Sequence, residues 1–121
     1  MEGSIERYLE EMIRLNPTNI RVIDYPSKNL QSLAVKLSPY VAVYISPIHY
    51  EVVYEMLKKD GNNIQYLPQT HEYCMEALRN TGNAIKHIIN PQLDMQITAI
   101  KNDPSAIIYI EKPHPDLQNY L

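Results

Sequence analysis

Proline or glycine recurs along this chain at an almost constant interval, and few folds tolerate such a rhythm. Pro17, Pro39, Gly61, Gly82 and Pro104 are separated by 22, 22, 21 and 22 residues. A second set, Pro26, Pro47, Pro68, Pro91 and Pro113, follows with spacings of 21, 21, 23 and 22. Two interleaved marks with one period define a tandem repeat.

The residues beside the marks give the rhythm a mechanism. Asn16, Ser38, Asp60, Thr81 and Asp103 immediately precede the first set. All five are preferred N-cap types, whose side-chain oxygens accept the orphaned N–H groups of a first helical turn. Proline is tolerated at the next position because its missing N–H would have had no partner there. Asp103-Pro104 therefore ends one helix and starts another.

Before each cap the apolar residues follow helical spacing. Leu30, Ala34 and Val35 form one such face, as do Val52, Met56 and Leu57, and again Met95, Ala99 and Ile100. After each cap a short helix is anchored by Ile20/Ile23, Ala42/Ile45, Ile64/Leu67, Ile85/Ile88 and Ile107/Ile110. The second proline set is expected to open the next long helix. One such hairpin cannot bury its own apolar face, so neighbours must stack. The expected fold is all-α: a short α-solenoid of five stacked helical hairpins in one helical-repeat domain, residues 1–121. Its units are 1–25, 26–46, 47–67, 68–90 and 91–112, with 113–121 as part of a sixth long helix acting as a cap. A compact, non-repetitive helical bundle is the alternative.

The cycle in Ala99–Ile110 resembles the tandem repeats of an uncharacterised "domain of unknown function" family of helical hairpins, found in giant viruses, large phages and some bacteria. Ala99, Ile100, Lys101, Pro104, Ala106, Ile107, Tyr109 and Ile110 carry the resemblance, preceded by Asn90, Pro91 and Gln96. Ala34, Val35, Lys36, Pro39, Tyr44 and Ile45 repeat it, and it extends over nearly the whole chain. The third and fourth units depart from it, with Gly61 and Gly82 in place of proline. The resemblance implies a helical fold and a viral or mobile-element origin. It carries no catalytic residues.

The sharpest constellation is a ladder of cations, Arg14, Lys36, Lys58, Arg79 and Lys101, each two residues before an N-cap. Stacking would align them along one edge at helix-packing distance, roughly 10 Å per rung. Such a row suits an acidic protein surface or a phosphate backbone. The bland alternative is that each cation complements the C-terminal dipole of its own helix. The net charge of -3 disfavours general nucleic-acid or membrane-surface binding. Tyrosines supply a second candidate contact: Tyr50 and Tyr54 stand one turn apart, with Tyr73 in the next repeat. Tyr44, Tyr66 and Tyr109 form a row better suited to covering seams between hairpins.

Residues in catalytic arrangements are few. His71 and Cys74 share a helix face, but two ligands do not make a tetrahedral metal site. His49, His71, His87 and His114 lack a partnered Ser or Cys context. With Gly3, Gly61 and Gly82 alone, no phosphate-cradling loop is built. Glu55 and Glu76, at equivalent positions, read as a solvated face. No cofactor, metal or catalytic residue is called for. No apolar run reaches the roughly 18 residues of a membrane span, the opening residues lack a signal-peptide pattern, and the single Cys74 fits a reducing compartment. A cytoplasmic location is expected, the host cytoplasm if the protein is viral.

The leading expectation is a non-enzymatic protein–protein interaction module. On the resemblance, it is a phage- or virus-encoded factor that binds and inhibits a host defence protein. Its partner is a host or viral protein with an acidic surface, met by the ladder or by Tyr50, Tyr54 and Tyr73. A nucleic-acid or nucleotide binder using the ladder is the alternative.

Overall fold

The computed structural model describes residues 2–121. Every regular element among the described residues is a helix. Five α-helices, α1 (Glu2–Leu15), α2 (Lys28–Leu37), α3 (Tyr50–Lys59), α4 (His71–Asn80) and α5 (Leu93–Asn102), are each followed by a short helix. The short helices are η1 (Pro17–Val22), η2 (Pro39–Tyr44), η3 (Gly61–Tyr66), η4 (Gly82–His87) and η5 (Pro104–Tyr109), and η6 (Pro115–Tyr120) closes the chain. This is the all-α hairpin repeat that the two marks predict.

The short helices are 3-10 helices. Each opens with an i→i+3 bond, as in Asn19 N–H to the Asn16 carbonyl at 2.9 Å, and closes with another, as in Ile88 N–H to Ile85 at 3.0 Å. Over six residues an α-helix would leave most of its end groups unpaired, and the tighter winding pairs more of them. The same reason corrects the expectation of a sixth long helix: the helix within residues 113–121 is η6, a single 3-10 segment over Pro115–Tyr120.

Three of the five expected caps close as expected. Asn16 accepts from Thr18 N–H at 3.1 Å, Asp60 from Asn62 at 2.9 Å and Asp103 from Ser105 at 3.0 Å. Ser38 and Thr81 hold the same extended backbone without a side-chain cap bond. Thr81 Oγ1 instead accepts the Gly61 N–H of the preceding hairpin at 2.9 Å. The second proline set also needs correction. These prolines stand two or three residues ahead of the helices, because an extended N-cap intervenes: Ser27 caps Leu30 N–H and Thr70 caps Tyr73 N–H.

The chain divides into two compact units, one through Met56 and one from Leu57 to Leu121. In the first, α1 lies beside α2 and η1 beside η2, giving two layers. Ile13, Ile20, Leu30, Ala34, Val35 and Val41 are buried there. In the second, α4 lies beside α5, and η3, η4 and η5 form a row against them. Its buried residues include Ile64, Ala77, Leu78, Ile85, Ala99 and Ile100.

Gly61 and Gly82 have a packing reason to depart from proline. Each is buried where the next hairpin's α-helix ends. A Cβ on Gly61 would overlap the Ala77 carbonyl oxygen and lie 2.7 Å from Thr81 Cβ. A Cβ on Gly82 would overlap the Ala99 carbonyl oxygen. Both N–H groups are used, Gly61 toward Thr81 Oγ1 and Gly82 toward Asn102 Oδ1 at 2.6 Å. Proline can donate neither bond.

Candidate functional site

The cation ladder follows from the way each long helix stops. Ser38, Thr81 and Asp103 turn to extended backbone, while their own N–H groups close the last turn on Ala34, Ala77 and Ala99. Two residues earlier the side chain projects outward. Arg14, Lys36, Lys58, Arg79 and Lys101 all occupy last turns and are all exposed. In that place each cation complements its helix dipole by typically 0.3–1 kcal/mol.

In the second unit two rungs are tied together. Asn102 Nδ2 donates to the Arg79 carbonyl at 2.9 Å, and Asn102 Oδ1 takes the Gly82 N–H. The last turns of α4 and α5 are thus held side by side. Both rungs are locally engaged: Arg79 lies 3.6 Å from Glu76, and Lys101 Nζ sits 5.9 Å from the Tyr120 ring centroid. By contrast, Arg14, Lys36 and Lys58 have no carboxylate within ion-pair distance among the described residues.

The tyrosine candidates separate. Tyr50 is exposed and stacks on His49, with ring centroids 4.9 Å apart. Tyr54 and Tyr73 are half-buried, and each is engaged in a contact of its own. The other row covers seams. The Arg21 guanidinium lies over Tyr44 at 5.4 Å and Lys86 over Tyr109 at 5.3 Å, in each case reaching from the preceding hairpin. Tyr40 meets Tyr44 edge-on at 6.2 Å. Tyr66 is half-buried.

The two cation–tyrosine pairs belong to a larger correspondence that the sequence reading missed. Tyr25 and Asn90, 65 residues apart, both adopt left-handed backbone, with φ of 50° and 51°. Asparagine tolerates that region, whereas tyrosine is strained in it. Beside each lies an open groove: about 460 Å³ around Lys86, Asn90, Tyr109 and Lys112, and about 420 Å³ around Arg21, Asp24, Tyr25 and Tyr44. Gln31 and Gln96 are buried at the same offset. Gln31 donates to the Pro26 carbonyl at 3.0 Å and accepts from His49 N–H at 2.8 Å. Gln96 does the same with Pro91 and His114, at 3.1 and 2.9 Å. The Pro-x-x-x-x-Gln spacing was the available signal.

Titratable groups elsewhere are set by simple contacts. The hydrogen bond and charge of Glu51 raise the Lys28 pKa, and Lys28 lowers that of Glu51 in return. Bonds from the Ser105 hydroxyl and N–H hold Asp103 below the usual carboxylate range. Burial pushes the Cys74 thiol up. Desolvation, then the neighbouring Lys86 charge, pushes His87 down. His71 and Cys74 part company: His71 Nε2 meets Asp94 Oδ2 of α5 at 2.6 Å, while Cys74 is buried. Glu55 is exposed and accepts from Ser32, whereas Glu76 is half-buried and pairs with Arg79, which corrects the expectation of a solvated face there. No group of three or more His, Cys, Asp or Glu among the described residues is placed to hold a metal ion. No helix among them is long and apolar enough to cross a membrane.

Residues 49–91 match the model of DUF4116, a domain of unknown function. The matched stretch contains α3, η3, α4 and η4, the two hairpins punctuated by glycine. The cycles at 34–45 and 99–110, where the sequence resemblance is strongest, lie outside it. No curated protein and no solved structure matches the chain.

Proposed function

We propose that the chain is a non-enzymatic interaction module whose last-turn cations meet an acidic surface on a partner protein. The observation that supports this is the state of Arg14, Lys36 and Lys58, which are exposed and without an acidic neighbour among the described residues. Complementing a helix dipole requires only a partial neutralisation, so most of each charge stays directed at solvent. An acidic partner would gain on-rate from these charges. Tyr50 supplies an exposed ring for the same contact, tyrosine being enriched at interfaces. The likeness to repeats of giant viruses and large phages adds a host protein as the partner class, with inhibition as the consequence.

Nucleic-acid binding is the second reading, favoured by the same cations and disfavoured by the net charge of -3. Two measurements separate the readings. Pull-down from the native host with mass spectrometry is expected to recover a protein whose contact patch is acidic. Titration against labelled single- and double-stranded DNA and RNA is expected to show no binding at physiological salt. Binding whose logarithm falls linearly with that of the salt concentration would reverse the order.

A further inference from the structure

Helix α1 carries an apolar stripe that the fold does not use. Ile5, Tyr8, Met12 and Leu15 follow one side of the helix at i, i+3, i+7 and i+10. Ile5 is 61% exposed, Tyr8 63% and Leu15 85%. At the position matching Tyr8 in later hairpins stand Leu30 and Met95, which are 1% and 6% exposed in α2 and α5. Those two helices pack on α1 and α4 respectively. The stripe therefore includes a position that α2 and α5 bury. Its ends set it apart from the later hairpins. The positions matching Ile5 are Ser27, His49, Thr70 and Gln92, all polar, and those matching Leu15 are Leu37, Lys59, Asn80 and Asn102, of which Leu37 alone is apolar. Only α1 is apolar at both ends, so its stripe spans eleven residues, about 15 Å.

The stripe is also self-complementary. Antiparallel pairing about residue 10 sets Ile5 against Leu15 and Tyr8 against Met12 of the second helix. Along one flank run Arg7 and Glu11, neither with an ion-pair partner among the described residues. In the same register Arg7 of each helix falls beside Glu11 of the other. We infer that α1 is a dimerisation helix, which pairs antiparallel with α1 of a second copy of this chain.

A single helix face buries less than a standard interface, which places the dimer among weak, concentration-dependent assemblies. The test is sedimentation of the full chain over a concentration series, with Arg7→Glu, Glu11→Arg and their equimolar mixture. Wild-type mass is expected to climb from that of one chain toward twice that value. Arg7→Glu and Glu11→Arg each place like charges across the interface and are expected to stay monomeric. Their mixture restores opposite charges and is expected to dimerise again. Tyr8→Lys, checked by circular dichroism for retained helix, is expected to abolish the dimer. Wild type remaining monomeric throughout would overturn the inference, as would a mixture that associates no better than its components.

Discussion

Replacing Gly61 with alanine tests whether successive hairpins interlock as described. The added Cβ would overlap the Ala77 carbonyl oxygen and approach Thr81 Cβ to 2.7 Å, and both are held by the helix end. Overpacking of this kind costs typically 1–3 kcal/mol. Any shift that relieves it stretches the 2.9 Å bond from Gly61 N–H to Thr81 Oγ1, a further loss of about 1 kcal/mol. Against this, alanine restricts the unfolded chain, a gain of about 0.4–1 kcal/mol. The net expectation is destabilisation of about 2–3 kcal/mol, or roughly 6–15 °C in melting temperature for a chain of this size. Gly82→Ala is expected to cost less, because beyond the carbonyl overlap its nearest atoms lie at 3.1 Å, against 2.7 and 2.9 Å at Gly61. Gly3→Ala is the control: nothing lies within 4 Å of a Cβ there, so it is expected to be neutral or slightly stabilising. Far-ultraviolet circular dichroism during thermal and urea unfolding reads all three. Gly61→Ala melting with wild type would refute the close approach.

Gln96→Leu leaves the Pro91 carbonyl and the His114 N–H without their partner and is expected to destabilise by about 2 kcal/mol, measured by urea unfolding. His87 has a folded pKa below its unfolded value, so the unfolded chain binds the proton more readily. Stability is therefore expected to fall as pH drops through the unfolded pKa of about 6.5. The loss levels off below the folded pKa, and a His87→Gln variant should lack this component of the pH profile. Cys74, buried with its pKa raised, is expected to react with a thiol reagent only at the rate of unfolding. Fast labelling of the native protein would contradict that.

Much of the fold was legible because its cause is local. Asn16, Asp60 and Asp103 cap as their side chains dictate, and the first set of marks fixes where η1 to η5 begin. The 3-10 winding was not legible, since Ile20/Ile23 or Ile85/Ile88 fit either helix type and only segment length decides between them. The need for Gly61 and Gly82 lies in the approach of a neighbouring hairpin, which local sequence does not encode. The ladder was legible as a position in the last turn. Its engagement was not: that Arg79 meets Glu76 and Lys101 meets Tyr120 depends on where side chains and η6 come to rest. The half-burial of Tyr54 and Tyr73 was not legible, because tyrosine suits a half-buried place as well as an exposed one.

Reversing three of the last-turn cations together asks whether they make the contact with a partner. Lys36→Glu, Lys58→Glu and Lys101→Glu in one chain should leave the far-ultraviolet helix signal in place, apart from a small loss of dipole complementarity. Capture of the protein recovered by wild type should fall at least tenfold and lose its salt dependence. Capture at full strength by a folded triple variant would mean that the cations serve their helices alone.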